Sequence, residues 1–255
     1  MAFVLDTAQA IRPHGRILDY GCGSGDAVLA GVRASLDVYG VDVFYGGGHG
    51  QREKAAELGL LNDRVFEMRD GRIPFPDEWF DLIYHTQVFE HVRDLDRVLS
   101  EIRRVLKNDG VMLSLFPSLE VLREGHCGVA LAHRLRRDST LGYVYLLLAR
   151  TLGFGYHHGT KSRSQWARDF LEWLDKWCHY RSRADIVATY RRAGFSFESS
   201  EAEYAVHRLR YTGRGWAVPL VRVLPRLAGL AIRMLGGMVV LSTKSGDPMR
   251  PVIGS

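Results

Sequence analysis

Short apolar runs alternate with helical segments between residues 16 and 116, and this alternation constrains the fold more than any other feature. Each run is bounded by glycine, proline or aspartate, as is typical of a strand that enters and leaves a sheet. Strands that alternate with helices build a mostly parallel sheet, because each helix carries the chain back to the start of the next strand. The sequence predicts strands over 16–20, 37–41, 64–67, 80–84 and 110–116, and helices over 26–34, 51–58 and 95–106, the last ended by Asn108-Asp109-Gly110.

The pattern changes after Pro117, where strands give way to a segment rich in aromatic residues, histidine and arginine. A sixth strand is expected within AGFSFESSEAEYAV and a seventh within GGMVVLSTK. These elements divide the chain into a first half of the sheet domain (1–118), a helical insertion (119–193) and a C-terminal completion of the sheet (194–255). Within the insertion we expect helices over 127–135, 140–151, 164–176 and 183–193.

The segment from Trp216 to Leu235 is apolar but interrupted by three arginines and two prolines. It is too charged and too broken to cross a membrane. Two interpretations stay open, a buried helical hairpin and an amphipathic element that rests on a membrane, and the first is favoured because apolar helical stripes usually pack into a core.

Composition limits the functional classes. The net charge of +5 comes with arginines concentrated between residues 119 and 194, which favours a solvated basic face over a nucleic-acid groove because no nucleic-acid module is visible. An anionic small molecule or a lipid surface remains a possible partner, and the oligomeric state is not indicated. Three widely spaced cysteines argue against a disulfide framework or a zinc finger. The N-terminal stretch is a poor signal peptide, so a cytoplasmic location is expected.

The stretch ILDYGCGSGD places Gly21, Gly23 and Gly25 between the first strand and the next helix. The third glycine comes one position too early for a dinucleotide fingerprint, and the Lys-Ser/Thr pair of a Walker loop is missing. Asp19 and Asp26 flank the loop, so a ligand with an ammonium or sulfonium charge suits it better than a phosphate does. Glycines allow the backbone to approach such a ligand closely.

Two further aspartates stand at successive strand ends. Asp42 ends the second strand, where a carboxylate can accept hydrogen bonds from both hydroxyls of a ribose. Asp70 follows the third strand, at the neighbouring edge, where its natural partner is an exocyclic amine. Together the two residues predict a nucleoside ligand.

The segments ILDYGCGSGD, VDVF, RDGRIPFPDEWFDLIYHTQVFEHVRD and LSEIRRVLKNDGVMLSLFPS together resemble the motif series of class I S-adenosylmethionine-dependent methyltransferases, especially the type 11 small-molecule group. The resemblance covers about 12–118 and resumes weakly over 192–244. It implies a Rossmann-like, mostly parallel seven-stranded sheet with a helical insertion between strands five and six. It also implies that S-adenosyl-L-methionine is the cofactor.

The resemblance carries roles onto matching positions of this sequence. The glycine loop would hold the methionyl part, with Asp19 supporting the loop, and Asp42 would bind the ribose. Asp70 and the backbone of Gly71 would meet the adenine, and His85 would lie beside the transferred methyl group. The implied cofactor-binding set is Asp19, Gly21, Cys22, Gly23, Gly25, Asp42, Val43, Asp70, Gly71 and His85.

Methyl transfer to a hydroxyl needs a base, and histidine suits this role because its pKa lies near neutrality. Glu90 and His91 in QVFEHV and His126 in REGHCG are the candidate catalytic residues, with His85 a weaker one. The Glu90-His91 pair could equally be architectural. Some quinone-biosynthesis relatives hold a divalent metal with acidic residues here, but Gln87 replaces one of them, so no metal site is expected.

The insertion lies where class I methyltransferases place substrate lids, and its composition indicates the acceptor. Aromatic faces stack on sugar rings and arginines pair with anionic groups. The favoured function is therefore O-methylation of a sugar or glycan precursor. A lipid or quinone-like acceptor and a non-catalytic cofactor-binding protein are the alternatives. Trp166, Trp173 and Trp177 are expected in the core, and His157-His158 is not expected to bind metal.

Overall fold

The computed structural model describes residues 2–45, 50–135, 140–157, 159 and 161–245 of the chain. Its strands are β1 (Arg16–Tyr20), β2 (Asp37–Asp42), β3 (Val65–Glu67), β4 (Phe80–Thr86), β5 (Leu106–Phe116), β6 (Glu198–Ser199) and β7 (Met238–Thr243). Its α-helices are α1 (Ala2–Ile11), α2 (Asp26–Arg33), α3 (Gln51–Glu57), α4 (Leu95–Val105), α5 (Thr140–Thr151), α6 (Arg163–Trp177), α7 (Arg183–Arg192), α8 (Glu201–Tyr211), α9 (Val218–Val223) and α10 (Pro225–Leu235).

The seven strands form one sheet in the order β3-β2-β1-β4-β5-β7-β6. The first five pair in parallel, whereas β7 lies antiparallel between β5 and β6. This arrangement confirms the mostly parallel seven-stranded sheet. The order of the strands reverses at β1, because β2 lies on one side of it and β4 on the other. Such a switch point opens a crevice at the carboxyl ends of the strands.

Apolar side chains cover both faces of the sheet, as parallel strands require. One cluster packs α4 and α7 against the sheet around Ile83, Leu99 and Tyr190, and the other packs α1 and α2 around Ile17 and Val28. The core therefore fixes the strands from both sides. Polar groups can therefore gather at the carboxyl ends of the strands and in the loops that follow them.

Helix α4 begins at a side-chain cap, because Asp94 Oδ1 accepts a hydrogen bond from the Arg97 N–H at 3.0 Å. Its apolar stripe is buried, as the sequence predicts. The predicted helix over 95–106 ends one residue early, and Asn108-Asp109-Gly110, expected to end it, lie within β5. The helix ends at Val105, whose carbonyl accepts from the Trp79 N–H at 2.8 Å, and Leu106 already pairs with Phe80. The pairing of Leu106 with Phe80 therefore starts β5 two residues before Asn108.

The insertion has its own small core, built around Cys127, Leu146, Trp166 and Leu171. Helices α5, α6 and α7 lie close to where the sequence predicts them. The helix expected over 127–135 is wrong, since only Ala132–Arg134 form a short 3₁₀ turn. Gly128 at φ +73° and Leu131 at φ +51° take left-handed conformations there, which interrupt any longer helix.

The sixth strand is far shorter than the sequence suggests. Only Glu198–Ser199 pair with β7, and Glu201–Tyr211 form helix α8. Helix α8 packs against α1 and α10, with Phe3 and Tyr204 meeting edge to face at 4.9 Å between ring centroids. Apolar and polar residues nearly alternate in this segment, as in a strand, but packing against α1 stabilises a helix there.

The buried-hairpin interpretation of the segment from Trp216 to Leu235 is wrong. The segment forms α9 and α10 on the surface, and Trp216, Val223 and Leu235 expose 82%, 75% and 74% of their surface. Among the helices of the described ranges, none combines the length and the apolar character needed to cross a membrane. The apolar side chains of α9 and α10 therefore face outward without being a transmembrane span.

Candidate active site

The glycine loop joins β1 to α2 at the switch point of the sheet. Gly21, Gly23 and Gly25 have φ values of +76°, +55° and +79°, a region that residues with a side chain rarely adopt. A Cβ atom on Gly21 would meet Val88 Cγ2 at 2.5 Å. Glycine is therefore required at Gly21 by both backbone conformation and space, and the loop turns tightly against the segment that follows β4.

Asp42 holds this loop from the end of β2. Its Oδ2 accepts a hydrogen bond from the Gly23 N–H and its Oδ1 accepts from the Phe44 N–H, both at 2.8 Å. Each carboxylate oxygen has a second lone pair, so both oxygens can still accept a hydroxyl proton. Val43, which follows Asp42, is 47% exposed. The strand end thus fits the ribose of a nucleoside cofactor.

Asp19 lies buried under the loop, next to the Tyr84 side chain. Burial raises the pKa of Asp19 to about 7, and the negative charge of Asp42 adds to the rise, while Tyr84 opposes it. Burial also raises the pKa of the neighbouring Cys22 thiol. Asp19 is thus buried beside the first residues of the loop, and its role in supporting the loop stays a prediction.

Asp70 and Gly71 form an exposed turn after β3, with φ values of +51° and +70°. The Arg97 guanidinium donates a hydrogen bond to the Asp70 carbonyl and fixes the turn. The Met68 N–H donates to the Asp42 backbone carbonyl at 2.8 Å, so the segment that leads into this turn lies beside Asp42. Asp70 and Gly71 thus lie at the same sheet edge as Asp42, and their contact with an adenine stays a prediction.

His85 takes a different place from the one expected for a residue beside a methyl group. Its ring is fully buried and stacks on Phe89, with 3.5 Å between ring centroids. Burial lowers its pKa to about 3, so the ring is neutral at physiological pH. The role of His85 in cofactor binding stays a prediction, and its side chain would have to act from within the core.

The structure brings the three candidate catalytic residues Glu90, His91 and His126 together, although they come from two separate loops. One ligating atom of each lies within 4.8 Å of the others. The rings of His91 and His126 are 5.0 Å apart at their centroids. Burial raises the pKa of Glu90 to about 8 and lowers that of His91. Proximity and perturbed pKa values together are typical of a functional site.

Each histidine of this cluster is oriented by a partner on Nδ1. The His91 Nδ1–H donates to the Trp177 carbonyl, and the His126 Nδ1–H donates to Glu124 Oε1, both at 2.7 Å. These bonds leave Nε2 as the free ring nitrogen of each side chain. The two imidazoles are therefore held in the tautomer that can accept a proton or bind an ion at Nε2.

Glu124 is a site residue that the sequence reasoning missed. Its buried carboxylate also accepts from the Cys127 N–H at 2.6 Å and from the Tyr180 hydroxyl at 2.8 Å. Burial alone would raise the pKa of Glu124, but the hydrogen bond from His126 and its other donors lower it. The only sequence signal was its position two residues before His126 in REGHCG.

The glycine loop and the histidine cluster are linked by contacts between neighbouring segments. Tyr45, just beyond Asp42, packs on Trp177 with 4.8 Å between ring centroids. The carbonyl of Trp177 in turn orients His91. On the other side, Val88 contacts the loop at Gly21 and lies three residues before His91. The same neighbouring segments thus contact both the glycine loop region and the candidate catalytic groups.

A cavity of about 360 Å³ opens beside His126. Three aromatic rings of α6 follow one another along it, Trp166, Phe170 and Trp173, each 5.9 Å from the next and nearly parallel. Trp166 is buried, as predicted, whereas Trp173 and Trp177 are only half-buried. His157 lines the same cavity, while His158 lies outside the described residues. The core interpretation of the tryptophans is thus correct for Trp166 alone.

Comparison with known proteins gives consistent results. Residues 18–114 match a family described as "Methyltransferase domain". The chain is 37% identical to a demethylmenaquinone methyltransferase of Symbiobacterium thermophilum over 108 aligned residues. This alignment covers 41% of this chain and 43% of that protein. It is 35% identical to a malonyl-[acyl-carrier protein] O-methyltransferase of Geobacter sulfurreducens, in an alignment that covers 41% of this chain and 39% of that protein. The chain spans less than half the length of these curated relatives.

A solved S-adenosylmethionine-dependent methyltransferase from Mesorhizobium loti has the same fold. It aligns over 94% of this chain and 99% of its own, with a TM-score of 0.50 and 17% identity. The sheet order and this likeness define the Rossmann-like fold of class I methyltransferases. Over residues 18–114 the chain is similar to the methyltransferase-domain family.

Proposed function

We propose that the protein is an S-adenosylmethionine-dependent methyltransferase that methylates a hydroxyl of a small molecule, namely a sugar or a glycan precursor. The observation that carries this proposal is the aromatic cavity that begins at His126, at the same sheet edge as the glycine loop. Bound S-adenosylmethionine supplies an electrophilic methyl group on a sulfonium. The protein has to align the acceptor oxygen with it and take up the hydroxyl proton.

The residues of the site divide these tasks. The glycine loop and Asp42 hold the cofactor, and Asp70 with Gly71 holds its base. The paired histidines His91 and His126 face the acceptor side, with Nε2 free on each, and the proton of the acceptor hydroxyl leaves to one of them as the oxygen–carbon bond forms. Histidine is suited to this step because its usual pKa lies near the working pH.

The cavity fits a ring with several hydroxyl groups. The parallel faces of Phe170 and Trp173 offer a stacking surface for the apolar face of a sugar. Lys161 and Asp169, whose charged groups are 2.7 Å apart, line the same cavity and supply polar contacts for hydroxyls. A cavity with aromatic walls and a few convergent polar groups is typical of small-molecule sites.

An acceptor panel tests the proposal. S-adenosylhomocysteine formation is measured with nucleotide sugars, free glycosides, quinones and fatty-acyl compounds, with His126→Ala as the control for activity from contaminants. We expect turnover with sugar acceptors that His126→Ala lowers. Turnover confined to quinones or acyl compounds would contradict the sugar assignment, and cofactor binding without turnover on any acceptor would favour a non-catalytic protein.

A second candidate function, methylation of a lipid or quinone-like acceptor at a membrane surface, is favoured by α9 and α10. Their exposed side chains form what we call the apolar-basic surface: Trp216, Leu220, Arg222, Val223, Arg226, Leu227 and Leu235. No aspartate or glutamate occurs between Tyr204 and Gly246. Apolar side chains interleaved with arginines bind anionic lipid surfaces.

Vesicle co-sedimentation separates the two candidates. The protein is spun with vesicles of phosphatidylcholine and phosphatidylglycerol, and with phosphatidylcholine alone. If the lipid candidate is correct, only the anionic vesicles carry the protein down, and Trp216→Ala combined with Arg226→Ala releases it. Absence of binding to both vesicles leaves the sugar acceptor as the favoured function.

A further inference from the structure

The cluster of Glu90, His91 and His126 has the composition of a metal site, although the sequence pattern led us to expect none. We propose that these three side chains bind a divalent first-row transition ion such as Zn²⁺, with a fourth position open toward the aromatic cavity. The proposal rests on the side chains themselves and would stand if the sugar acceptor proved wrong.

The first support is proximity. One ligating atom of each residue lies within 4.8 Å of the others. Ligands on one tetrahedral zinc ion stand about 3.4 Å apart, as follows from bond lengths of about 2.1 Å. The ligating atoms therefore need to approach one another by at most about 1.4 Å to surround an ion. Two of the ligands come from the 3₁₀ turn after β4 and the third from the loop after β5, so the ion would join two loops.

The second support is the orientation of the imidazoles. Histidines that bind metals nearly always donate their other ring N–H to a carboxylate or a backbone carbonyl, which fixes the tautomer and aims the free nitrogen. His126 donates to the Glu124 carboxylate and His91 to the Trp177 carbonyl. Both kinds of partner are present, one for each ligand. The Tyr180 hydroxyl and the Cys127 N–H in turn hold Glu124 in place.

The third support is Glu90. Its side chain is only 1% exposed, and neither carboxylate oxygen has a hydrogen-bond partner within the described part of the chain. A buried carboxylate without a partner is costly, whereas a bound cation satisfies it. The Nδ1 protons of His91 and His126 do not serve it, since both are donated to other oxygens. An ion between the three groups would supply the missing partner.

The ligand types determine the class of ion. Two imidazoles and one carboxylate suit zinc, iron, cobalt or nickel, whereas magnesium and calcium prefer oxygen ligands. Three protein ligands leave a position for water or substrate, and His126 lines the aromatic cavity. An ion would occupy both Nε2 atoms. The ion would lower the pKa of an acceptor hydroxyl bound to it, and the proton would leave to solvent water instead of to an imidazole.

Calorimetry with Zn²⁺ and visible absorption with Co²⁺ test the site on full-length protein stripped of metal by a chelator. We expect one equivalent of saturable binding and an absorption band of Co²⁺ with nitrogen ligands. Glu90→Gln and His126→Asn should abolish both signals. Glu124→Gln should weaken binding about 10- to 100-fold, because it removes only the orienting partner. His14→Ala, at an exposed histidine, is the matched control and should bind like the wild type.

Binding of S-adenosylhomocysteine, measured on the same samples, shows that each variant is folded. Failure of the wild type to bind either ion would overturn the proposal, and so would binding that persists in both Glu90→Gln and His126→Asn. Loss of metal binding with intact turnover in Glu90→Gln would assign the proton to a free imidazole, leaving the methyltransferase function in place.

Discussion

His91 and His126 lie with their ring centroids 5.0 Å apart, and each donates its Nδ1 proton to a different oxygen of the protein. One of these oxygens belongs to Trp177, which packs on Tyr45 from the loop after Asp42. This contact fixes the segment after Asp42 relative to His91, that is, the proposed cofactor side relative to the proposed acceptor side. Alignment of this kind is the main requirement of a methyl transfer.

Removal of the histidine pair should affect catalysis and not cofactor binding. We expect His91→Ala and His126→Ala each to lower kcat about 100-fold or more, the usual contribution of a group that handles a proton. The affinity for S-adenosylhomocysteine should stay within a few-fold of the wild type. Steady-state kinetics and calorimetry measure the two quantities, with His14→Ala as the control. Unchanged kcat in the double variant would contradict a role for the pair.

Substitution of Gly21 should destabilise the protein for two separable reasons. Gly21→Ala places a Cβ 2.5 Å from Val88 Cγ2 at a φ of +76°. The backbone conformation alone costs about 1–2 kcal/mol, and Gly59→Ala measures that term because Gly59 has φ +70° with no atom within 4 Å of its Cβ. We expect Gly21→Ala to lower the free energy of unfolding more than Gly59→Ala does.

The clash itself can be relieved by a second substitution. Val88→Ala removes the atoms that a Cβ on Gly21 would meet. In urea unfolding, the double variant Gly21→Ala/Val88→Ala should lose less stability than the sum of the two single variants. Additive losses would mean that the two positions are not in contact.

The high pKa of Asp19 makes the stability of the cofactor-free protein depend on pH. Its pKa is about 7 in the folded state and 3.8 when unperturbed, so the folded state binds more protons between these values. Stability from this group is therefore fully present below pH 4 and falls as the pH rises to about 7. Asp19→Asn should flatten this part of the profile, measured by urea unfolding from pH 4 to pH 8. An identical slope in both proteins would contradict the assignment.

The positions of the residues proposed to bind the cofactor were predictable because their signals are local. The order Gly21, Gly23, Gly25 and the aspartates at strand ends are read within a few residues, and the sheet topology then brings them to one edge. The acceptor half was not predictable, since the contacts of Glu124 with Tyr180 and of His91 with Trp177 join distant parts of the chain. Local propensity also misplaced the segment 127–135, where two left-handed residues decide the conformation.

The most direct test of the account is calorimetric titration with S-adenosylhomocysteine. We expect binding on the order of −8 kcal/mol, corresponding to a micromolar Kd, with no binding of NAD or ATP. Asp42→Ala should lose this binding, because it removes the groups that hold Gly23 and Phe44 and accept the ribose hydroxyls. Asp63→Ala, an exposed turn residue, is the matched control. Undiminished binding by Asp42→Ala, or preference for NAD, would contradict the account of this site.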